Sequence, residues 1–347
     1  VLDDLKYIHE RDAQDALGVA EKQWQQYVHN FDFNWQAPRT INHVVVVGMG
    51  GSGLAAKAAS SWPGFNVPYE VCQSYDIPRS VTAATLIIFS SYSGNTEETL
   101  TVFNSIFSDT PEDVRPMTIV ITAGGKLLEQ AKKRNIPYIE LPGEYQPRMT
   151  FGYQLRALVE IFQAAKLCEK MTVELEITAG WLKDQISAWL PTVPANNNNA
   201  KKLAQECMGK TPVIYSGPRL FSAAYKWKIS LNENAKNVAW CNQLPEFNHN
   251  EFLGWTSHPT NKPYTVIDLR SNLENTRVQK RFEISERLLS GKRPAAEIVE
   301  IQGDTLVKQL LWAIALGDFV SLYLAILNGL NPTPVDLIEK LKTEMAA

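Results

Sequence analysis

Leu86-Ile87-Ile88-Phe89-Ser90-Ser91-Tyr92-Ser93-Gly94-Asn95-Thr96-Glu97-Glu98-Thr99 runs from an apolar stretch into a helix-like segment through a turn built of hydroxyls. A short apolar run bounded by turn residues reads as a buried strand, and the helix start that follows makes a strand–turn–helix unit. The turn suits an anion. N–H groups at a helix start, Gly94 for the bend, and the hydroxyls of Ser91, Ser93 and Thr96 would together suit a phosphate dianion. No Lys or Arg lies within the stretch. Hydrogen bonds and the helix dipole would therefore do the holding, which suits a small ligand that must leave again. A hydroxyl-capped helix without a ligand is the alternative reading of the same residues.

The same alternation extends on both sides. Strand-like runs at Val44–Val47, Tyr69–Gln73, Leu86–Ser90, Met117–Thr122 and Tyr138–Glu140 are separated by segments long enough for crossover helices. This predicts an α/β fold with a mostly parallel sheet covered on both faces. Residues 3–28 read as a helical arm, and Tyr153–Glu169 and Leu175–Leu190 as connecting helices. Pro191-Thr192-Val193-Pro194-Ala195 with Asn196 to Asn199 is the best linker candidate. Beyond it, Val213–Ser216, Val238–Cys241, Thr265–Leu269 and Ile298–Ile301 resume the alternation. Val44–Gly53 parallels Pro212–Arg219, and Ile87–Thr99 parallels Ile267–Thr276, so one α/β unit is duplicated. The expected layout is an arm and first domain over residues 1–150, connecting helices and linker over 151–195, and a second domain over 196–347.

At 347 residues the chain is long enough for two such cores, and 34 basic against 37 acidic residues leave a formal charge of −3. That balance, with no basic block, argues against nucleic acid or an anionic membrane as partner. Cys72, Cys168, Cys207 and Cys241 are scattered with no C-x-x-C pair, which suits reduced thiols in the cytoplasm and indicates no metal site. His9, His29, His43 and His258 show no metal spacing either and are expected to be structural or exposed. The apolar stretch Leu306–Leu330 is interrupted by Lys308, Gln309 and Asp318, so it reads as a buried helix and not a membrane span.

Gly48-Met49-Gly50-Gly51-Ser52-Gly53 follows Val44–Val47 and formally matches the G-x-G-x-x-G dinucleotide fingerprint, with Glu70 as the acidic residue about twenty positions on. A glycine turn admits any bound phosphate, however, and a second hydroxyl loop is more than a dinucleotide fold needs. Both loops are expected to converge on one sugar phosphate. In the second half, Leu231-Asn232-Glu233-Asn234-Ala235-Lys236 sets a carboxylate among amides at a helix end, and Pro245-Glu246-Phe247-Asn248-His249-Asn250-Glu251 soon follows. Amides beside Glu233 and His249 would orient a base and an acid/base group, or Glu233 is a helix-end residue and His249 a surface one. Arg148, in a proline-bent connection, either faces a developing oxyanion or forms a surface ion pair. Asn331-Pro332-Thr333-Pro334 is expected to open the last helix, with Lys340 on the face of Thr333.

Taken together, Gly48–Gly53, Ser90–Thr99, Gln146-Pro147-Arg148, Asn232–Lys236, Pro245–Glu251 and Pro332-Thr333-Pro334 with Lys340 resemble the bifunctional phosphoglucose/phosphomannose isomerases of the sugar isomerase (SIS) group. The resemblance runs in order from about residue 44 and implies two SIS-type αβα domains. It implies an aldose–ketose isomerase that interconverts glucose 6-phosphate and mannose 6-phosphate with fructose 6-phosphate through a cis-enediol. Gly51, Ser52, Ser91, Ser93 and Thr96 would bind the phosphate. Glu233 would be the base, Arg148 would stabilise the enediolate, and Lys340 would assist at the ring oxygen. His249 would open the ring and be lent across a homodimer. Thr333 stands where conventional phosphoglucose isomerases carry a larger glutamine, leaving room for either epimer. No cofactor or metal is implied. A sugar-phosphate sensor and an NAD(P)-dependent dehydrogenase are the rival expectations.

Overall fold

Two aspartates start the chain's first helices: Asp4 accepts from Tyr7 N–H at 3.1 Å ahead of α1 (Leu5–Arg11), and Asp12 accepts from Ala16 and Leu17 N–H, both at 2.8 Å, at α2 (Ala16–Glu21). The structure, a computed structural model, describes residues 1–257 and 263–345; His258 lies outside them. Residues 22–181 form one compact unit, and residues 1–21 with 182–347 form the other. The arm thus divides between the two, and the division after residue 181 falls inside a helix, ahead of the proline-rich stretch at 191–199.

In the unit of residues 22–181, His43–Val47 (β1) and Thr85–Ser90 (β3) are buried at every position. They flank each other at the centre of a parallel sheet completed by β2 (Tyr69–Cys72), β4 (Met117–Thr122) and β5 (Tyr138–Glu140), in the order β2-β1-β3-β4-β5. Burial on both faces explains why these strands read as unbroken apolar runs. Val45, Val47, Ile87 and Phe89 pack with Val102, Phe103 and Ile106 of α4 (Glu97–Asp109), after α3 (Gly50–Ala59) has crossed from β1 to β2. Helices α5 (Gly125–Lys133), α6 (Phe151–Ala164) and most of α7 (Met171–Ile186) complete the unit. The strand order reverses between β1 and β3, so the turns after these strands stand side by side at the carboxyl edge, where open α/β sheets bind ligands.

The other unit repeats the plan with α8 (Asn199–Cys207), β6 (Thr211–Ser216), α9 (Phe221–Glu233), β7 (Trp240–Gln243), α10 (Glu251–Gly254), β8 (Tyr264–Arg270), α11 (Thr276–Leu289), β9 (Ala296–Glu300), α12 (Leu306–Leu327) and α13 (Asp336–Met345). Its parallel order, β7-β6-β8-β9, matches β2-β1-β3-β4. Strand β7 begins at Trp240, two residues later than expected; the helix end before it is closed by Lys236, at φ +52°, and by the bond from Asn237 N–H to the Leu231 carbonyl (3.2 Å). The 191–199 stretch is also fastened: buried Lys201 donates to the Pro191 and Val193 carbonyls, both at 2.8 Å, and meets Asp3 at 3.1 Å.

Helix α12 is long and apolar enough to cross a membrane, yet 89% of its most apolar window is buried within the fold. It packs on α9, where a methyl group at Gly317 would come within 2.4 Å of the Trp227 ring and where Trp227 donates to the Ala313 carbonyl at 2.6 Å. The charge that interrupts this helix has a partner: Asp318 accepts from Lys226, and from Ser230 at 2.8 Å. Asp318→Ala would strand a lysine that is 1% exposed and is expected to cost about 3–5 kcal/mol in urea unfolding. Lys226→Met with Asp318→Leu should recover most of that loss. A single-variant cost below about 1 kcal/mol would show the pair to be unimportant.

Candidate active site

The turn after β1 is shaped by close approach. A Cβ on Gly48 would lie 2.8 Å from the Ser90 carbonyl oxygen, and one on Gly51 would lie 2.8 Å from the Pro147 carbonyl carbon and 2.9 Å from Arg148 N. Glycine at these positions lets the β1 turn press against both the β3 turn and the segment carrying Arg148. Gly50 and Gly94 adopt φ of +48° and +65°, the left-handed bends that each turn needs.

Hydroxyls then bolt the turns together. Tyr92 N–H donates to Ser52 Oγ at 2.9 Å, joining the two turns, and Ser91 and Thr96 share a hydroxyl–hydroxyl bond of 2.8 Å. Ser93 Oγ accepts from Asn95 N–H at 3.2 Å on the exposed side. Thr96 turns its hydroxyl to Ser91 and makes no side-chain cap on α4, and Met49 makes none on α3. Two helix starts without side-chain caps therefore meet at the strand-order reversal, and their N–H groups and dipoles favour an anion. Arg148 follows Pro147 in a single turn of helix; it is 2% exposed, and its guanidinium lies 3.4 Å from Gln146 Oε1. The unit thus brings Gly51, Ser52, Ser91, Thr96 and the Arg148 segment into one corner, with Ser93 on its outer side.

The dinucleotide reading fares poorly here. Glu70 pairs in register with Val45, near the start of β2, and its carboxylate lies 3.7 Å from His43 Nε2. A ribose-binding acid belongs at the carboxyl end of that strand. Among the described residues, no group of three or more His, Cys, Asp or Glu is arranged to hold a metal.

In the other unit Glu233 is the last residue of α9 and half-buried. Asn234 behind it donates to Ser321 of α12 at 2.9 Å, and Lys236 donates to the Asn331 and Pro332 carbonyls at 3.1 and 3.0 Å. These bonds fasten the Glu233 turn to the Thr333 turn, which is itself shaped by Thr333 N–H donating to Asn331 Oδ1 at 3.0 Å. Spacing alone gave no hint that Lys236 is this tether. The last helix starts at Asp336, so Thr333 and Pro334 precede it, and the expected common helical face of Thr333 and Lys340 does not exist. The proline-punctuated turn there forms its own hydrogen bond instead of a first helical turn. The Lys340 ammonium is exposed on α13 and lies 3.8 Å from Glu344.

His249 is exposed, but its neighbours are pinned. Asn248 donates to Ser285 at 2.8 Å and accepts from Arg281 at 3.2 Å; Phe247 is buried against the Tyr215 ring. Two residues beyond, Glu251 accepts from Tyr215 of β6 and from Asn242 of β7, the latter at 2.6 Å, and Trp255 donates to the Tyr215 oxygen at 3.0 Å. Desolvation first, and then the Glu251 carboxylate, push the Tyr215 phenol well above its ordinary pKa, so it remains a donor. The clamp residues Tyr215 and Asn242 escaped the sequence reading because they lie on strands with no motif around them. Only Glu251, inside the Pro245–Glu251 motif, carried a signal.

The family described as the bacterial phospho-glucose isomerase C-terminal SIS domain matches residues 196–345. The bifunctional phosphoglucose/phosphomannose isomerase of Aquifex aeolicus is 32% identical over 305 residues, covering 87% of this chain and 90% of that protein. Its namesake from Caldicellulosiruptor bescii is 34% identical over 312 residues, covering 88% and 90%. A glucose-6-phosphate isomerase like protein from Thermus thermophilus shares the fold, with a TM-score of 0.64 over 98% of each chain at 16% identity. Identity above 30% along nearly the whole length of such relatives establishes that the chain belongs to the bifunctional phosphoglucose/phosphomannose isomerase family.

Proposed function

We propose that this chain is an aldose–ketose isomerase that interconverts glucose 6-phosphate and mannose 6-phosphate with fructose 6-phosphate, acting in the cytoplasm as a homodimer. The observation that carries the reading is the corner where two helix starts without side-chain caps meet the Ser52, Ser91 and Thr96 hydroxyls and the Arg148 segment. Such a corner suits a phosphate monoester, and Gly51 and Ser93 extend it.

In the proposed reaction, His249 of the partner subunit protonates the ring oxygen, aided by Lys340, while the O1 hydroxyl gives up its proton to solvent; the C1–O5 bond breaks, the C1 carbonyl forms and the sugar opens. Glu233 removes the C2 proton of the open aldose and returns it to C1, while the O2 proton passes to O1. The cis-enediolate between these steps is stabilised by Arg148, whose guanidinium stays charged at any working pH. The reaction is redox-neutral and calls for no cofactor. Asn234, Lys236 and α9 hold Glu233 on a rigid helix end, which favours a reproducible distance to the C1–C2 edge. Thr333 would leave space for either orientation at C2.

A coupled assay started separately from fructose 6-phosphate and from mannose 6-phosphate tests the reading. Turnover is expected from both. Turnover from fructose 6-phosphate to glucose 6-phosphate alone would remove the mannose arm, and tight binding of both sugars without turnover would favour a sensor.

A further inference from the structure

The duplicated units treat their equivalent corners differently. Strands β1 and β3 correspond to β6 and β8 in sheet order, so the counterpart of the phosphate corner is the pair of turns at Gly217–Leu220 and Ser271–Asn275. Both helix starts at the first corner lack a side-chain cap. At the second, Asn275 caps α11 by accepting from Arg277 N–H at 2.8 Å, and Glu274 accepts from Arg219 N–H at 2.7 Å. Where Ser52 joins the turns in one unit, a carboxylate joins them in the other.

That carboxylate lies deep in the turn. A Cβ on Gly217 would come within 2.4 Å of the Glu274 carboxyl carbon and 2.5 Å of its Oε1, and Glu274 is 6% exposed. Gly217 is therefore the residue that lets the Glu274 carboxylate, an anion of the chain's own, approach the turn. Two hydroxyls at the same strand–helix junction, Ser216 Oγ and Ser222 Oγ, are buried and make no hydrogen bond. A buried hydroxyl without a protein partner has spare hydrogen-bonding capacity for a polar ligand at this junction.

We propose that the second unit carries a phosphate-type cradle that Glu274 closes from within, so that the chain takes one phosphorylated ligand and removal of this carboxylate opens a second site for phosphate-class anions. A tethered carboxylate competes at a raised effective concentration, and it makes the same charge-assisted bond to a backbone N–H. One lobe can then serve the substrate while its twin stays shut without being dismantled. The one-ligand stoichiometry rests on the proposed role of the first corner; the opening of the second does not.

Calorimetric titration of the full chain and of Glu274→Ala with inorganic phosphate separates the two claims. Wild type is expected to bind one phosphate per chain and the variant two, with a matching rise in thermal midpoint on adding phosphate that wild type does not share beyond its first site. A wild type that binds none would sink the role of the first corner only. A folded variant that gains nothing over wild type, or a wild type that already binds two, would overturn the proposal. Should Glu274→Ala fold poorly, Glu274→Ser, equally short and uncharged but polar, is read the same way. Failure of both to fold in phosphate buffer would also count against it, because phosphate should replace the lost carboxylate.

Discussion

Glu233→Gln is expected to lower turnover from either sugar phosphate by about 10²–10⁴-fold, the range that a positioned general base contributes, while substrate affinity stays within about tenfold. The amide keeps the size and one acceptor oxygen of the carboxylate but cannot take the C2 proton, so the loss falls on the transition state and not on ground-state binding. The local fold should survive, since the turn is held by Asn234 to Ser321 and by Lys236 to Asn331 and Pro332. The decisive measurement pairs steady-state kinetics with direct binding of fructose 6-phosphate. A parallel collapse of affinity and kcat would make Glu233 a ligand-holding or structural residue, and an unchanged kcat would dismiss it as the base.

How far such assignments could be read from sequence depends on whether a residue's partners are near it in the chain. The strands β1, β3 and β4 were legible to within a residue because each is a short apolar run between turn residues, and burial on both faces demands that composition. Helix α12 was legible as a core helix from its polar interruptions, and Asp318 has its partner in Lys226. The hydroxyl corner was visible because Ser91 and Thr96 satisfy each other within one turn. What stayed hidden depends on distant contacts. Ser52 reaches Tyr92, Lys236 reaches Asn331, Tyr215 reaches Glu251, and Glu274 fills the turn at Gly217. The start of α13 was misplaced because Pro334 suits a first helical turn by propensity, whereas the Asn331 side chain captures Thr333 N–H in a turn of its own.

Mixing two inactive variants should restore activity. If each site takes Glu233 from one chain and its imidazole from the other, Glu233→Gln and His249→Ala homodimers both lack complete sites. In a mixed dimer both lesions fall on one site, and the second site is intact. Random exchange makes half of the dimers mixed, each with half of its sites whole, so activity should rise from near zero to about a quarter of the wild-type value per chain. The structure gives His249→Ala good prospects of folding: the imidazole is exposed, while Phe247, Asn248 and Glu251 fix the segment without it. The variants are best mixed under mild denaturant and then diluted, with subunit exchange followed by a mass tag on one chain. Exchange without any gain in activity would show that both groups serve the same chain's site or that His249→Ala is inactive for a structural reason. Rescue of the His249→Ala homodimer alone by added imidazole would separate these cases, because only a missing acid/base group can be replaced from solution.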